Sequence, residues 1–367
     1  MTNPAHRLQR ACELLKAANI DAAAFVPGPN FAYLTGVDLH LMERPTLFVL
    51  TARGEQHAII PALEKHQWSA AMPDTETYYW ADEDGPGKAF DALSAGLGDC
   101  VLGVEGLRMR AAEYLLLRQH WPESQLKNAD SALVPMRICK DAAEIADLRR
   151  AIHISETALA EVMQDTRAGD TEVAIVARLK AAMLSHGAVG FAFEPIVLSG
   201  AEAANPHGHP GDRKLQSGQA LLIDFGASYG VMHADITRTF FVEHVADSHQ
   251  SIYETVKAAN EQGKQAVAPG VPVEMVDAAA TSVLANSPYA EMILHKTGHG
   301  LGREVHEAPQ VMRGNTMPLE SGMVITIEPG LYHVGDIGVR IEDDVLVTDT
   351  GYESLTSYGR DIQIIGQ

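Results

Sequence analysis

Apolar and polar positions along the first third of the chain switch between two periods. Leu8, Ala11, Leu15 and Ala18 recur at helical spacing, and residues 22–26 form a short apolar run that reads as a buried strand. Residues 46–50 (TLFVL) and 57–60 (HAII) flank a Thr-Ala-Arg-Gly-Glu turn and predict a hairpin. Residues 88–97 predict a helix, 100–104 a strand and 111–120 another helix, so this is a modest α/β domain ending near residues 130–135. From Asp141 the pattern changes. Residues 141–164 carry almost no Gly or Pro, and Ile145, Leu148, Ile152, Leu159 and Val162 make the apolar stripe of a long helix. Beyond Gly169-Asp170-Thr171 a second helix covers 172–185, followed by extended segments near 195–199, 220–226 and 231–242. Two further helices, near 250–267 and 273–284, precede extended runs at 324–327 and 339–347. The order helix, helix, strands therefore occurs twice, which predicts two related halves packed face to face without a residue-level repeat. An α/β domain over residues 1–136 and an α+β domain over 137–367 are expected, the second carrying the chemistry.

A chain of 367 residues suits two domains. Charge narrows the choice of partner. Lys plus Arg number 28 against 48 for Asp plus Glu, a formal net charge of −20 that would repel a phosphate backbone, so no nucleic-acid partner is expected. The same balance permits a carboxylate cluster offset by bound cations. Cys12, Cys100 and Cys139 are odd in number and form no CxxC pair, which argues against a disulfide framework or a thiolate zinc site. Arg7, Arg10, Glu13 and Lys16 interrupt the region where a signal peptide would be apolar. The longest uncharged stretch, 22–37, is broken by Pro27-Gly28-Pro29-Asn30, so no membrane span is expected and a cytoplasmic location is.

The informative residues are charged ones inside apolar, extended segments. Asp224 lies in LLIDFG, Asp235 in MHADITRTFF, Glu328 in VITIEPG and Glu342 in VRIEDDVLV. Burying a carboxylate unpaired costs several kcal/mol, and four together would repel one another unless a positive charge sat between them. Any one alone could lie on a solvated strand face; all four favour a shared cation. His299, in LHKTGHGLGREVHEAP, adds a nitrogen ligand, and Gly298, Gly300 and Gly302 let that backbone approach a metal closely. An oxygen-rich set with one imidazole suits Mn(II), Co(II), Fe(II) or Zn(II). Four carboxylates exceed the needs of one dication and point to two metals bridged by carboxylates.

Three rival motifs fail on context. Residues 226–230 fit GxSxG, but a β-branched and aromatic segment follows where a nucleophile elbow needs a helix, so a hairpin turn is expected there. The glycines of 298–302 open no helix and Pro309 follows soon, against a dinucleotide loop. His295 and His299 have the spacing of a zinc helix, but Lys296 stands at the Glu position and Gly298 disfavours helix.

Asp224, Asp235 eleven residues later in DITRTF, then TGHGLG, IEPG and GVRIED together resemble the pita-bread dinuclear metallopeptidases. Within them the chain is most similar to the proline peptidases, the Xaa-Pro dipeptidases (prolidases) and aminopeptidase P. Residues 30–36 (NFAYLTG) resemble an early motif of that group's N-terminal domain. The resemblance implies a creatinase-like α/β N-terminal domain followed by an α+β pita-bread catalytic domain. It implies catalytic roles for His207 in NPHGHPGDR, His306 in HEAP, Glu328 and Arg340, and a substrate-binding role for His295; His209 reads as a solvated loop histidine.

The reaction implied is hydrolysis of the bond preceding proline, whose nitrogen carries no hydrogen. A hydroxide held between two divalent cations, Mn(II) favoured, would attack, with Glu328 shuttling the proton, His306 steadying the oxyanion and His207 orienting the substrate near the leaving group. The substrate would be a small peptide with proline second, and a homodimer is the common form of the group. A dipeptidase also needs a cation for the free C-terminal carboxylate. Arg340, Arg313 and Arg44 (in HLMERPTLF) are the candidates, with Tyr229 in support. An aminopeptidase P acting on longer peptides is the alternative. A non-catalytic binding module is the other, but it should have replaced ligands, and all five are present.

Overall fold

The structure, a computed structural model, describes residues 4–367 and divides into two compact units between Arg137 and Ile138. The first is built on a six-stranded sheet. In spatial order its strands are Glu76–Trp80, Gln56–Pro61, Leu47–Thr51, Ala22–Phe25, Leu102–Val104 and Leu126–Asn128. The predicted hairpin pairs antiparallel, with Phe48 opposite Ala58, while the strands Leu102–Val104 and Leu126–Asn128 run parallel. Successive side chains point to opposite faces, so both faces of this sheet become cores. Ala23, Phe25, Phe48 and Leu50 meet Ala11 and Leu15 of the first helix, Pro4–Ala17, together with Trp68. Ala22, Ala24, Leu47 and Val49 meet Phe90, Leu93, Leu117 and Trp121 on the other face.

The NFAYLTG segment forms the helix Pro29–Thr35, closed by Gly36 in the left-handed region at φ 70°. Its Asn30 donates through Nδ2 to Glu105 Oε1 at 2.9 Å, and Glu105 Oε2 accepts from the Val26 amide at 2.9 Å. Glu105 thus ties this helix to the end of a central strand.

In the second unit the order predicted from periodicity recurs as two similar runs. The helices Ala142–Asp165 and Glu172–Ser185 precede a four-stranded sheet ordered Ile364–Ile365, Ile236–Val242, Ala220–Phe225, Ile196–Ser199. The helices Asp247–Gln265 and Val273–Ala285 precede a five-stranded sheet ordered Glu307–Val311, Gly298–Gly300, Val324–Ile327, Asp343–Val347, Tyr352–Ser354. Asp141 starts the first of these helices with a capping box, its carboxylate accepting from the Ala143 and Glu144 amides while Glu144 reaches back. Among the described residues no helix is long and apolar enough to cross a membrane.

Two expectations about strands need correction. The extended run over 231–242 is two strands, Met232–His233 and Ile236–Val242, interrupted at Ala234-Asp235. The run over 339–347 is likewise split, into Ile337–Arg340 and Asp343–Val347, with Glu342 in the gap. Leaving the ladder frees each carboxylate from the alternation that would assign it to a sheet face. The hairpin expected at the GxSxG segment is present: Ala227–Tyr229 pairs antiparallel with Met232–His233 across a turn at Gly230 (φ 56°) and Val231.

Glu105 gives this fold a measurable pH dependence. Burial, partly offset by its hydrogen bonds to Val26 and Asn30, pushes its pKa up from 4.5 to about 7. A carboxyl raised in the folded state contributes stability that is full below its unfolded pKa and lost as pH rises through the folded value. Relative to Glu105→Gln, the wild-type chain should therefore lose about 3 kcal/mol of unfolding free energy between pH 4.5 and pH 8. Urea denaturation of both proteins across that range checks this; parallel curves would refute it.

Candidate metal centre

The two runs of the second unit bring their carboxylates to one cavity of about 790 Å³. Asp224 comes from within the strand Ala220–Phe225, and Glu328 from just past Val324–Ile327. Asp235 and Glu342 come from the two ladder interruptions. His299 sits at the centre of the strand Gly298–Gly300. Donor atoms of Asp224, Asp235 and Glu342 lie within 4.8 Å of one another, as do those of His299, Glu328 and Glu342. Asp235, His299 and His306 make a third such group. His299 Nε2 is 3.4 Å from Glu328 Oε1 and 3.8 Å from Asp235 Oδ2.

The glycines beside His299 act through size. A Cβ on Gly298 would stand 2.1 Å from the Thr326 carbonyl oxygen, and one on Gly300 would stand 2.1 Å from that of Ala308. Neither has positive φ, so the expectation of special backbone freedom gives way to a steric one: only bare backbone fits between the neighbouring strands. His299 is on a strand, which also removes the zinc-helix reading.

The surrounding hydrogen bonds fix the carboxylates. Arg340, only 3% exposed, donates from Nη2 to Asp224 Oδ2 at 2.5 Å, from Nε to Thr237 Oγ1 at 3.1 Å and from Nη1 to the Tyr332 hydroxyl at 2.8 Å. Thr237 in turn donates to Glu342 Oε2 at 2.7 Å. The Asp235 amide donates to Asp344 Oδ2 at 3.2 Å. Asn260 Nδ2 donates to the carbonyls of Ile327 (2.8 Å) and Ile341 (3.3 Å), the residues just before Glu328 and Glu342.

The electrostatics describe a site short of positive charge. Burial, then Glu342 and Asp224, holds the Asp235 carboxyl well above its ordinary range, and burial with Glu328 and Asp224 does the same to Glu342. Burial pushes Glu328 up to about 8, with Arg340 opposing it and Asp224 adding to it. Burial drives His299 down to about 3 and His295 to about 4, so both imidazoles are neutral, His299 able to bind a cation through Nε2 and His295 engaged through both nitrogens. Asp224 Oδ1 and Asp235 Oδ1 are buried with no hydrogen-bond partner. These residues fit a pair of divalent cations: hard oxygen donors in excess, one neutral imidazole and two buried lone-pair donors left unsatisfied.

The remaining sequence candidates divide. His207, His295, His306 and Arg340 line the cavity. The His306 ring centroid is 4.1 Å from that of His299, and His295 Nε2 is 2.7 Å from the Tyr332 hydroxyl. Tyr229 is not in the cavity wall; it is half-buried against the core clusters that contain Leu148 and Ile154, with the Arg150 guanidinium 6.0 Å from its ring centroid. Arg44 belongs to the first unit, where Nε and Nη2 are held by Asp82 at 2.9 and 2.7 Å and Nη1 by Glu43. Arg313 is exposed and does not line the cavity, and all three nitrogens of Arg340 are engaged. Sequence reasoning missed Thr237, Tyr332, Asn260 and Asp344, whose parts depend on long-range partners. It also passed over Lys296 and Gln310, which stand in the cavity wall.

Residues 146–349 match the model of metallopeptidase family M24, and residues 7–139 match that of the creatinase/prolidase N-terminal domain. An uncharacterized peptidase of Staphylococcus aureus is 31% identical over 352 residues, covering 96% of this chain and 99% of the relative. Among solved structures, recombinant prolidase from Thermococcus sibiricus superposes with a TM-score of 0.93 at 32% identity over 100% of both chains. Dipeptidase PepE from Mycobacterium ulcerans gives 0.93 at 32% over 99% of this chain and 98% of the other. An X-Pro aminopeptidase from Thermotoga maritima gives 0.84 at 29% over 98% and 99%.

The raised carboxyls make metal uptake and proton release one event. In the metal-free protein Glu328, raised to about 8, holds a proton at pH 7 that a cation must displace, and Asp235 and Glu342 are raised in the same direction, so apparent affinity should rise with pH. By the same sign, the metal-free fold should lose stability as pH rises through about 8. Calorimetric titration of metal-free protein with Mn(II) at pH 7, in buffers of different protonation enthalpy, should show net proton release; binding without it would contradict the assignment.

Proposed function

This chain belongs to metallopeptidase family M24, and from that membership and the cavity we propose that it hydrolyses the bond preceding proline, chiefly in Xaa-Pro dipeptides. The observation that carries the reading is the convergence of Asp224, Asp235, His299, Glu328 and Glu342 in one cavity as two triads that share Glu342. These five would hold two divalent cations, Mn(II) by preference. Bound there, the cations supply a water acidified toward neutral pH and a Lewis acid for the scissile carbonyl.

The chain's own residues do the rest. Glu328 takes the proton of the attacking water and delivers it to the proline nitrogen, which departs as an amine only once protonated. His306, beside His299, donates to the carbonyl oxygen as negative charge gathers there. His207, on the cavity wall, orients the substrate at the leaving side. Phe193, Ile196, Pro206, Leu294 and Val305 line the same cavity and give the proline ring and its neighbour an apolar seat. The closer structural likeness to a prolidase and a dipeptidase than to the X-Pro aminopeptidase supports dipeptides over longer peptides.

Loaded with Mn(II), the protein should cleave Ala-Pro and prefer it to a longer peptide beginning Ala-Pro. A chelator should abolish turnover, and Asp235→Asn should lower kcat by roughly a thousandfold or more while reducing bound metal. Undiminished turnover by Asp235→Asn would overturn the metal assignment, and preference for the longer peptide would overturn the dipeptide reading.

A further inference from the structure

A dipeptide brings a second charge into the cavity. Its C-terminal carboxylate lies one proline away from the reacting carbonyl, and leaving it buried without a cation would be costly. Among the described residues, the lining of the cavity includes two basic side chains other than histidine, Arg340 and Lys296. Arg340 is committed to Asp224, Thr237 and Tyr332. Lys296 is exposed, and its ammonium donates to Gln310 Oε1. An ammonium has three donors, so this bond leaves two for a ligand.

The surroundings hold Lys296 in place. Gln310 Nε2 donates to the Glu307 carbonyl at 3.2 Å, which turns its oxygen toward the lysine, and Asn315 Nδ2 holds the Gln310 carbonyl at 2.7 Å. The Lys296 carbonyl accepts from His295 Nδ1 at 2.7 Å, and the next amide, Thr297, donates to Asp277 Oδ1 at 3.0 Å. A flexible side chain thus leaves a fixed backbone and meets a fixed partner at the cavity wall.

We propose that Lys296, steadied by Gln310, anchors the C-terminal carboxylate of the substrate and so sets the preference for dipeptides. This rests on the Xaa-Pro dipeptidase reading above. It replaces Arg340, Arg313 and Arg44 in that role.

The test compares Ala-Pro with Ala-Pro-amide in the Mn(II)-loaded wild type, Lys296→Met and Lys296→Arg, with bound metal measured in each. The wild type should prefer the free acid. Lys296→Met should raise KM for Ala-Pro by about 10- to 100-fold and erase the preference over the amide, with kcat changing far less. Lys296→Arg should restore most of the preference. A Lys296→Met protein that keeps the acid-over-amide preference, or loses both activities equally, overturns the anchor alone. A wild type that ignores Ala-Pro and cuts only longer Xaa-Pro peptides overturns the dipeptidase reading itself.

Discussion

Too many carboxylates in too little space is the condition to which the rest of the second unit answers. Asp224, Asp235 and Glu342 meet within 4.8 Å in the cavity wall, and Glu328 closes the other side. One guanidinium, Arg340, faces this group, and it is placed to serve both halves at once. It grips Asp224 directly and reaches Glu342 through the Thr237 hydroxyl. Arg340 alone could not balance four ionised carboxylates, which is why Asp235, Glu328 and Glu342 are held above their ordinary ranges, and the shortfall makes the cavity a receptor for cations instead of an ordinary buried ion pair.

Symmetry between the halves explains how such a group can be assembled. Each half offers one carboxylate at or beside the end of a strand and another from a break in the ladder. The break is the important device. A strand would pin Asp235 or Glu342 to one sheet face, while a short interruption lets the side chain turn inward and hands its backbone to other partners. At Asp235 that partner is Asp344; before Glu342 it is Asn260. Asn260 also holds the residue before Glu328, so one amide from a helix governs the approach of two carboxylates.

What could be read from the sequence follows from the same physics. The helices and central strands were legible because their apolar periods are long, and the four carboxylates stood out because they break apolar runs. The strands Gly298–Gly300 and Glu307–Val311 were not, since glycine and proline hide a ladder whose close spacing is visible only from the neighbouring carbonyls. Tyr229 stood as a support for the carboxylate clamp, yet it packs half-buried against the core. Arginine could be recognised as a possible clamp, but whether it is free cannot be read from spacing. The commitment of Arg340 to Asp224, and of Arg44 to Asp82, is a property of contacts across more than thirty residues. Lys296 was overlooked for the same reason, as its meaning depends on which other cations are already taken.

The sharing of Glu342 has a consequence for how the protein is made. Both triads that include it draw on residues far upstream, the earliest being Asp224. Synthesis proceeds from the amino terminus, so more than a hundred residues must be added after Asp224 before either triad can close. A nascent chain therefore carries incomplete donor sets for much of its growth. The triad of Asp224, Asp235 and Glu342 in addition joins residues of both halves, so the complete donor set belongs to the finished fold and not to either half alone.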